Sequence, residues 1–118
     1  MNVIFIAYSL LALAIISEVT GSTFLVKSEG FTKLGPSVLV VVFYVISFYL
    51  LSQVIKTIPL GIAYAIWGGV GIVLTALIGW VLFRQSLDMP AILGITMIVG
   101  GVIVMNVFSK SVAMPNKA

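Results

Sequence analysis

The chain has no cysteine and no histidine among its 118 residues. Those absences remove disulfides, Cys/His metal sites and every nucleophile–imidazole arrangement. Charge is scarce too: 8% of residues are Asp, Glu, Lys or Arg, against roughly 25% in soluble domains. Only Glu18, Glu29 and Asp88 are acidic. This shortage of acid–base groups argues against an enzyme, a metal site or a bound cofactor. The net charge of +3 is spread over loops and tails. It suits a membrane surface and leaves no nucleic-acid footprint.

What remains is hydrocarbon. Hydrophobic residues make up 62% of the chain, in four runs over about 3–26, 35–55, 58–82 and 89–108. Each is long enough for one helical crossing. The pattern predicts an all-α membrane protein with one four-span domain over 1–108 and a polar tail over 109–118. The start lacks a basic segment, and Glu18 falls where a cleavage region would be, so the first run reads as a span.

Glu18 is the acidic residue that lies deep within a span. A carboxylate in hydrocarbon costs a few kcal/mol or more, and by default it marks an ion, proton or substrate path. Helical spacing puts Ala7, Leu11, Ala14, Glu18, Gly21, Ser22 and Leu25 on one face. Small residues there let another helix approach, and Ser22 offers a hydrogen bond. In the second span Tyr44, Ser47, Phe48 and Leu51 share a face, with Pro36 in its first turn.

The third span is rich in glycine and carries Tyr64 and Trp67 well inside the membrane rather than at its aromatic belts. Gly61, Ala65 and Gly69 form a track for close packing. Gly68, Gly69 and Gly71 weaken the helix and permit a kink. Pro59 is expected in its first turn. Asp88 is placed to cap the fourth span or to pair with Arg84. On that span Gly94, Met97, Ile98, Gly101 and Met105 share an uncharged face that reads as an assembly surface.

Four short helices enclose little by themselves, so the carboxylate needs further walls. A dimer would bring two Glu18 together. Two carboxylates in a low-dielectric cavity cannot both ionise cheaply, so such a pair holds a proton and yields it to an arriving cation. Aromatic faces of Tyr44, Tyr64 and Trp67 favour lipophilic cations with diffuse charge, above all quaternary ammonium ions. Competition between proton and drug, combined with alternating access, gives efflux driven by a proton gradient.

Several motifs point to one family. They are Ser17-Glu18-Val19-Thr20-Gly21-Ser22-Thr23, Ser28-Glu29-Gly30-Phe31-Thr32, Ile58-Pro59-Leu60-Gly61-Ile62-Ala63-Tyr64-Ala65-Ile66-Trp67 and Gly69-Val70-Gly71-Ile72. Over about residues 3–108 the chain resembles the small multidrug resistance family. The resemblance implies an antiparallel homodimer in the bacterial inner membrane, working as a drug/proton antiporter without a cofactor. It implies that proton and substrate share Glu18. It implies a cavity lined by Ala14, Gly21, Ser22, Tyr44, Phe48, Tyr64 and Trp67. It also implies a kink at Gly69-Val70-Gly71 and a dimer seam from Gly94 to Val102. Guanidinium exporters, which resemble this family, carry tryptophan where Gly21 stands, so the quaternary-ammonium branch is favoured. The competing readings are a guanidinium or polyamine exporter and a membrane subunit that transports nothing.

Loop charges bear on orientation. Lys27, Lys33 and Arg84 belong to one side of a four-span chain, and Lys56, Lys110 and Lys117 to the other. Three against three gives the positive-inside rule no preference, and the chain is expected to insert both ways.

Overall fold

The structure, a computed structural model, describes residues 2–109. Beyond Ser109 the expected polar tail, with Lys110 and Lys117, lies outside the described residues. Four helices follow one another: α1 (Val3–Lys27), α2 (Leu34–Val54), α3 (Leu60–Leu82) and α4 (Met89–Phe108). All four are long and apolar enough to cross a membrane. They form two helical hairpins, α1–α2 within residues 1–54 and α3–α4 within residues 55–118.

The first hairpin begins with Asn2, whose Oδ1 accepts the Ile4 N–H at 2.9 Å and caps α1. α1 ends at Ser28, a fully buried polar residue. Ser28 Oγ donates to the Leu25 carbonyl at 2.7 Å and accepts the Phe31 N–H at 3.1 Å. Its own carbonyl accepts the N–H groups of Thr32 and Lys33. One serine thus satisfies groups at both ends of the turn, the accounting that a buried helix end requires. The chain reverses through Glu29, Gly30 and Phe31, all left-handed with φ of 49°, 75° and 65°. Glu29 and Lys33 form an exposed ion pair at 2.5 Å.

The second hairpin begins after Pro59. Pro59 is the N-cap of α3, not a first-turn residue: its ψ of 141° holds it extended while its carbonyl accepts the Ala63 N–H. α3 is helical without interruption through Gly68–Gly71. At its far end the Gly79 carbonyl accepts the N–H groups of Phe83 and Gln85, and Arg84 between them is left-handed at φ 55°. Asp88 caps α4, its Oδ1 accepting the Ala91 N–H at 3.0 Å, with Pro90 in the first turn. Asp88 therefore serves as a cap and forms no ion pair with Arg84, because its carboxylate is turned onto the helix N-terminus, where backbone donors are unpaired.

Candidate functional site

Glu18 and Ser22 stand one turn apart on α1, so their side chains meet on one face. Ser22 Oγ donates to Glu18 Oε2 at 2.5 Å. On the other side Ser22 Oγ lies 2.9 Å from the Tyr44 hydroxyl of α2. A serine hydroxyl has one proton, and here it is given to the carboxylate. Tyr44 must therefore donate to Ser22. The result is a directed chain, Tyr44 to Ser22 to Glu18, that delivers one donor, the Ser22 hydroxyl, to a half-buried carboxylate.

Tyr44 is seated closely. A Cβ at Gly21 would come within 2.9 Å of two carbons of the Tyr44 ring and 3.3 Å of Phe43 Cβ. Any side chain at 21 would collide with the ring. Ser47, fully buried, donates from Oγ to the Tyr44 carbonyl at 2.9 Å. Helical spacing placed Ser47 on the Tyr44 face without a role; its position three residues after Tyr44 is the signal, since serine back-bonds at that spacing.

Other expected residues of this hairpin lie differently. Ala14 is completely buried and packs. Phe48 turns outward, 57% exposed, and lines a groove of about 520 Å³ with Leu25, Phe31, Val41, Tyr44 and Val45. A parallel ring stack of Phe24 on Phe43, which the sequence did not signal, has centroids 6.2 Å apart, with Lys27 Nζ 5.9 Å from the Phe24 ring.

In the second hairpin Tyr64 and Trp67 meet edge to face, centroids 6.3 Å apart and planes at 72°. Tyr64 is 52% exposed and Trp67 half-buried. Gly69 is a point of close approach, where a Cβ would stand 2.7 Å from Val102 Cγ2 on α4. Gly71 is buried. Gly94 and Gly101 have nothing within 4 Å of a Cβ position, Met97 and Ile98 are exposed, and Met105 is half-buried. α4 has no buried residue among those described. Its glycine face is open within the chain.

The structure thus brings Glu18, Gly21, Ser22 and Tyr44 together in one hairpin, and Tyr64 with Trp67 in the other. Among the described residues no group of three His, Cys, Asp or Glu side chains could hold a metal. The chemistry on offer is a carboxylate with hydroxyl donors, plus exposed aromatic faces.

Comparison with known proteins leads the same way. A family model described as Small Multidrug Resistance protein matches residues 6–98. The chain is 52% identical over 104 residues to the multidrug transporter EmrE of Escherichia coli strain K12, covering 88% of this chain and 94% of that one. It is 48% identical over 103 residues to the quaternary ammonium compound-resistance protein QacE of Escherichia coli, covering 87% and 94%. It is 48% identical over 96 residues to the multidrug resistance protein EbrB of Bacillus subtilis, covering 81% and 82%. The chain belongs to the small multidrug resistance family, and is a multi-pass transporter of the bacterial inner membrane rather than an enzyme.

Proposed function

We propose that the chain is a proton-coupled antiporter that exports lipophilic and quaternary ammonium cations, protons and drug competing for Glu18. The observation that carries this reading is the Tyr44–Ser22–Glu18 chain. There the carboxylate of a membrane span accepts a hydrogen bond from Ser22, backed by Tyr44, and offers an anionic group to a proton or a cation. The relatives named for multidrug transport and quaternary ammonium resistance support the substrate class. So do the aromatic faces of Tyr64 and Trp67, which attract cations of diffuse charge. No cofactor is required, because the proton gradient supplies the drive.

The working unit is an antiparallel homodimer. The open Gly94–Gly101 face of α4 supports the seam, since small residues there admit a second helix closely. The balanced loop charges support opposite insertion of the two copies. Gly21, covered by Tyr44, favours quaternary ammonium over guanidinium substrates.

The test is uptake into proteoliposomes containing this chain alone, driven by an imposed pH gradient. Tetrapropylammonium uptake is expected with the native chain, guanidinium uptake is not, and Glu18→Gln abolishes exchange while the protein still inserts. Equal exchange by the native and Glu18→Gln chains would overturn the reading.

A further inference from the structure

We infer that Gly21 and Ser47 are positioning residues for Glu18, each acting through Tyr44. Gly21 supplies the floor on which the Tyr44 ring lies, and Ser47 fixes the backbone that carries it. Three contacts locate Tyr44. Its ring edge rests where a Gly21 Cβ would be, at 2.9 Å. Its carbonyl accepts from the fully buried Ser47 hydroxyl at 2.9 Å. Its own hydroxyl reaches Ser22 Oγ at 2.9 Å. The first two contacts leave the third little freedom.

The consequence follows from hydrogen-bond geometry. Ordinary carbon–carbon contact is about 3.5–4.0 Å, so an alanine at 21 pushes the ring by roughly 1 Å. That shift carries a 2.9 Å bond between hydroxyls beyond the working range of about 3.0 Å for O–H···O bonds. Ser22 then loses the donor that orients its proton toward Glu18. Phe43 Cβ on the same helix is 3.3 Å from the same Cβ position, so an alanine at 21 presses on α2 at a second point. Neither Gly21 nor Ser47 contributes a polar side-chain atom to Glu18, so both act on it through Tyr44.

The inference rests on the antiporter reading for its functional consequence, but its geometric claim can be checked alone. Tyrosine labelled with 13C at the hydroxyl-bearing carbon reports the Tyr44–Ser22 bond by NMR in lipid nanodiscs. Gly21→Ala should move the Tyr44 signal to the position it takes in Ser22→Ala, where the partner is gone. An unmoved signal in a folded Gly21→Ala protein would overturn the inference, whatever the transport result. The second readout is tetrapropylammonium binding. Tyr44→Phe keeps the ring and removes the donor, and one hydrogen bond of about 1 kcal/mol corresponds to about fivefold weaker binding. Gly21→Ala should match that loss, and Gly21→Ala combined with Tyr44→Phe should be no worse than the weaker single variant. Ser47→Ala should cost about twofold, and nothing further in the Tyr44→Phe background. Losses that multiply would show that 21 and 47 act on packing in general, and would reject the positioning role. If Glu18→Gln bound the cation as well as the native chain, the antiporter reading would fail while the NMR result still decided this one.

Discussion

The two hairpins solve different problems with the same materials. In the first, α1 and α2 meet around polar side chains: Glu18, Ser22 and Tyr44 in mid-span, Ser47 beside them, Ser28 buried at the turn. In the second, α3 and α4 meet at a glycine notch, with Val102 over Gly69. Clefts of about 360, 520 and 270 Å³ flank that second seam. α4 buries no residue of its own. The first hairpin joins its helices through an apolar core and the Tyr44–Ser22 hydrogen bond, which demands fixed partners. The second is specified by shape at a single point and leaves a whole face open. In the proposed antiporter the first hairpin supplies the proton site, and the open face of the second supplies the seam with another copy.

The largest expected effect separates the hairpins by charge. The turn of the first carries Lys27 and Lys33, and that of the second carries Arg84. Together they balance Lys56, Lys110 and Lys117, so reporter fusions at the C-terminus should appear on both sides of the membrane. Two lysines added after Ala118 should hold that end inside and remove most transport. A copy biased the opposite way should restore it. One fixed orientation with full activity in the native protein would reject the antiparallel dimer.

Next comes the contrast between a covered and an open glycine. Gly69→Ala drives a methyl to 2.7 Å from Val102 Cγ2, on a β-branched side chain with little freedom to turn. Overpacking of this kind costs about 1–3 kcal/mol, more than the gain of about 1 kcal/mol from replacing a helical glycine. Val102→Ala in the same chain should recover the loss. Gly101→Ala meets nothing within the chain, so the monomer should unfold no earlier, while cross-linking between copies should fall. Equal behaviour of the two glycines in detergent unfolding would erase the distinction between seam and surface.

Much of this architecture is legible in the residues themselves. Four apolar runs become four helices whose ends fall within two residues of the expected bounds, because length and hydropathy fix a crossing. Glu18 stands out because a carboxylate in hydrocarbon has few explanations. Helical period places Ser22 beside it. Contacts between helices are not legible in the same way. Period puts Phe48 on the Tyr44 face, and the two do line one groove, but the exposure of Phe48 is not legible, since one face of a lipid-embedded helix is as apolar as another. The Gly21–Tyr44 contact depends on the rotation of two helices, which composition does not encode. Pro59 is a cap rather than a first-turn residue; it stands one position ahead of the first turn that proline favours, and sequence pattern does not fix a helix start to a single residue.

A smaller effect is expected from the aromatic pair of the second hairpin. Trp67→Ala removes one ring of an edge-to-face pair and one cation–π surface, worth on the order of 1 kcal/mol. Binding of bulky aromatic cations should weaken about fivefold, and tetramethylammonium less. Uniform loss across cations would assign Trp67 to packing, not to substrate choice.

The smallest effects lie in the turns, where the hairpins again differ. Arg84 is left-handed at φ 55° and Glu29 at φ 49°. For a residue with a Cβ that conformation costs roughly 1–2 kcal/mol, and glycine removes most of the cost while losing about 0.5–1 kcal/mol to chain entropy. Arg84→Gly sacrifices no ion pair, so detergent unfolding should show a gain of a few tenths of a kcal/mol up to about 1 kcal/mol. Glu29→Gly relieves the same conformation but gives up the pair with Lys33. Both side chains of that pair are about 60% exposed, so it is worth about 0–1 kcal/mol. The two terms offset, and Glu29→Gly should leave stability nearly unchanged at low salt. Raising the ionic strength screens the pair in the native chain, so Glu29→Gly should then move toward a gain while Arg84→Gly keeps its own. Measurement in purified protein keeps the result independent of membrane orientation, which Arg84→Gly also biases. A loss in Arg84→Gly larger than in Glu29→Gly at every salt concentration would show that the arginine holds the second turn by contacts other than its backbone.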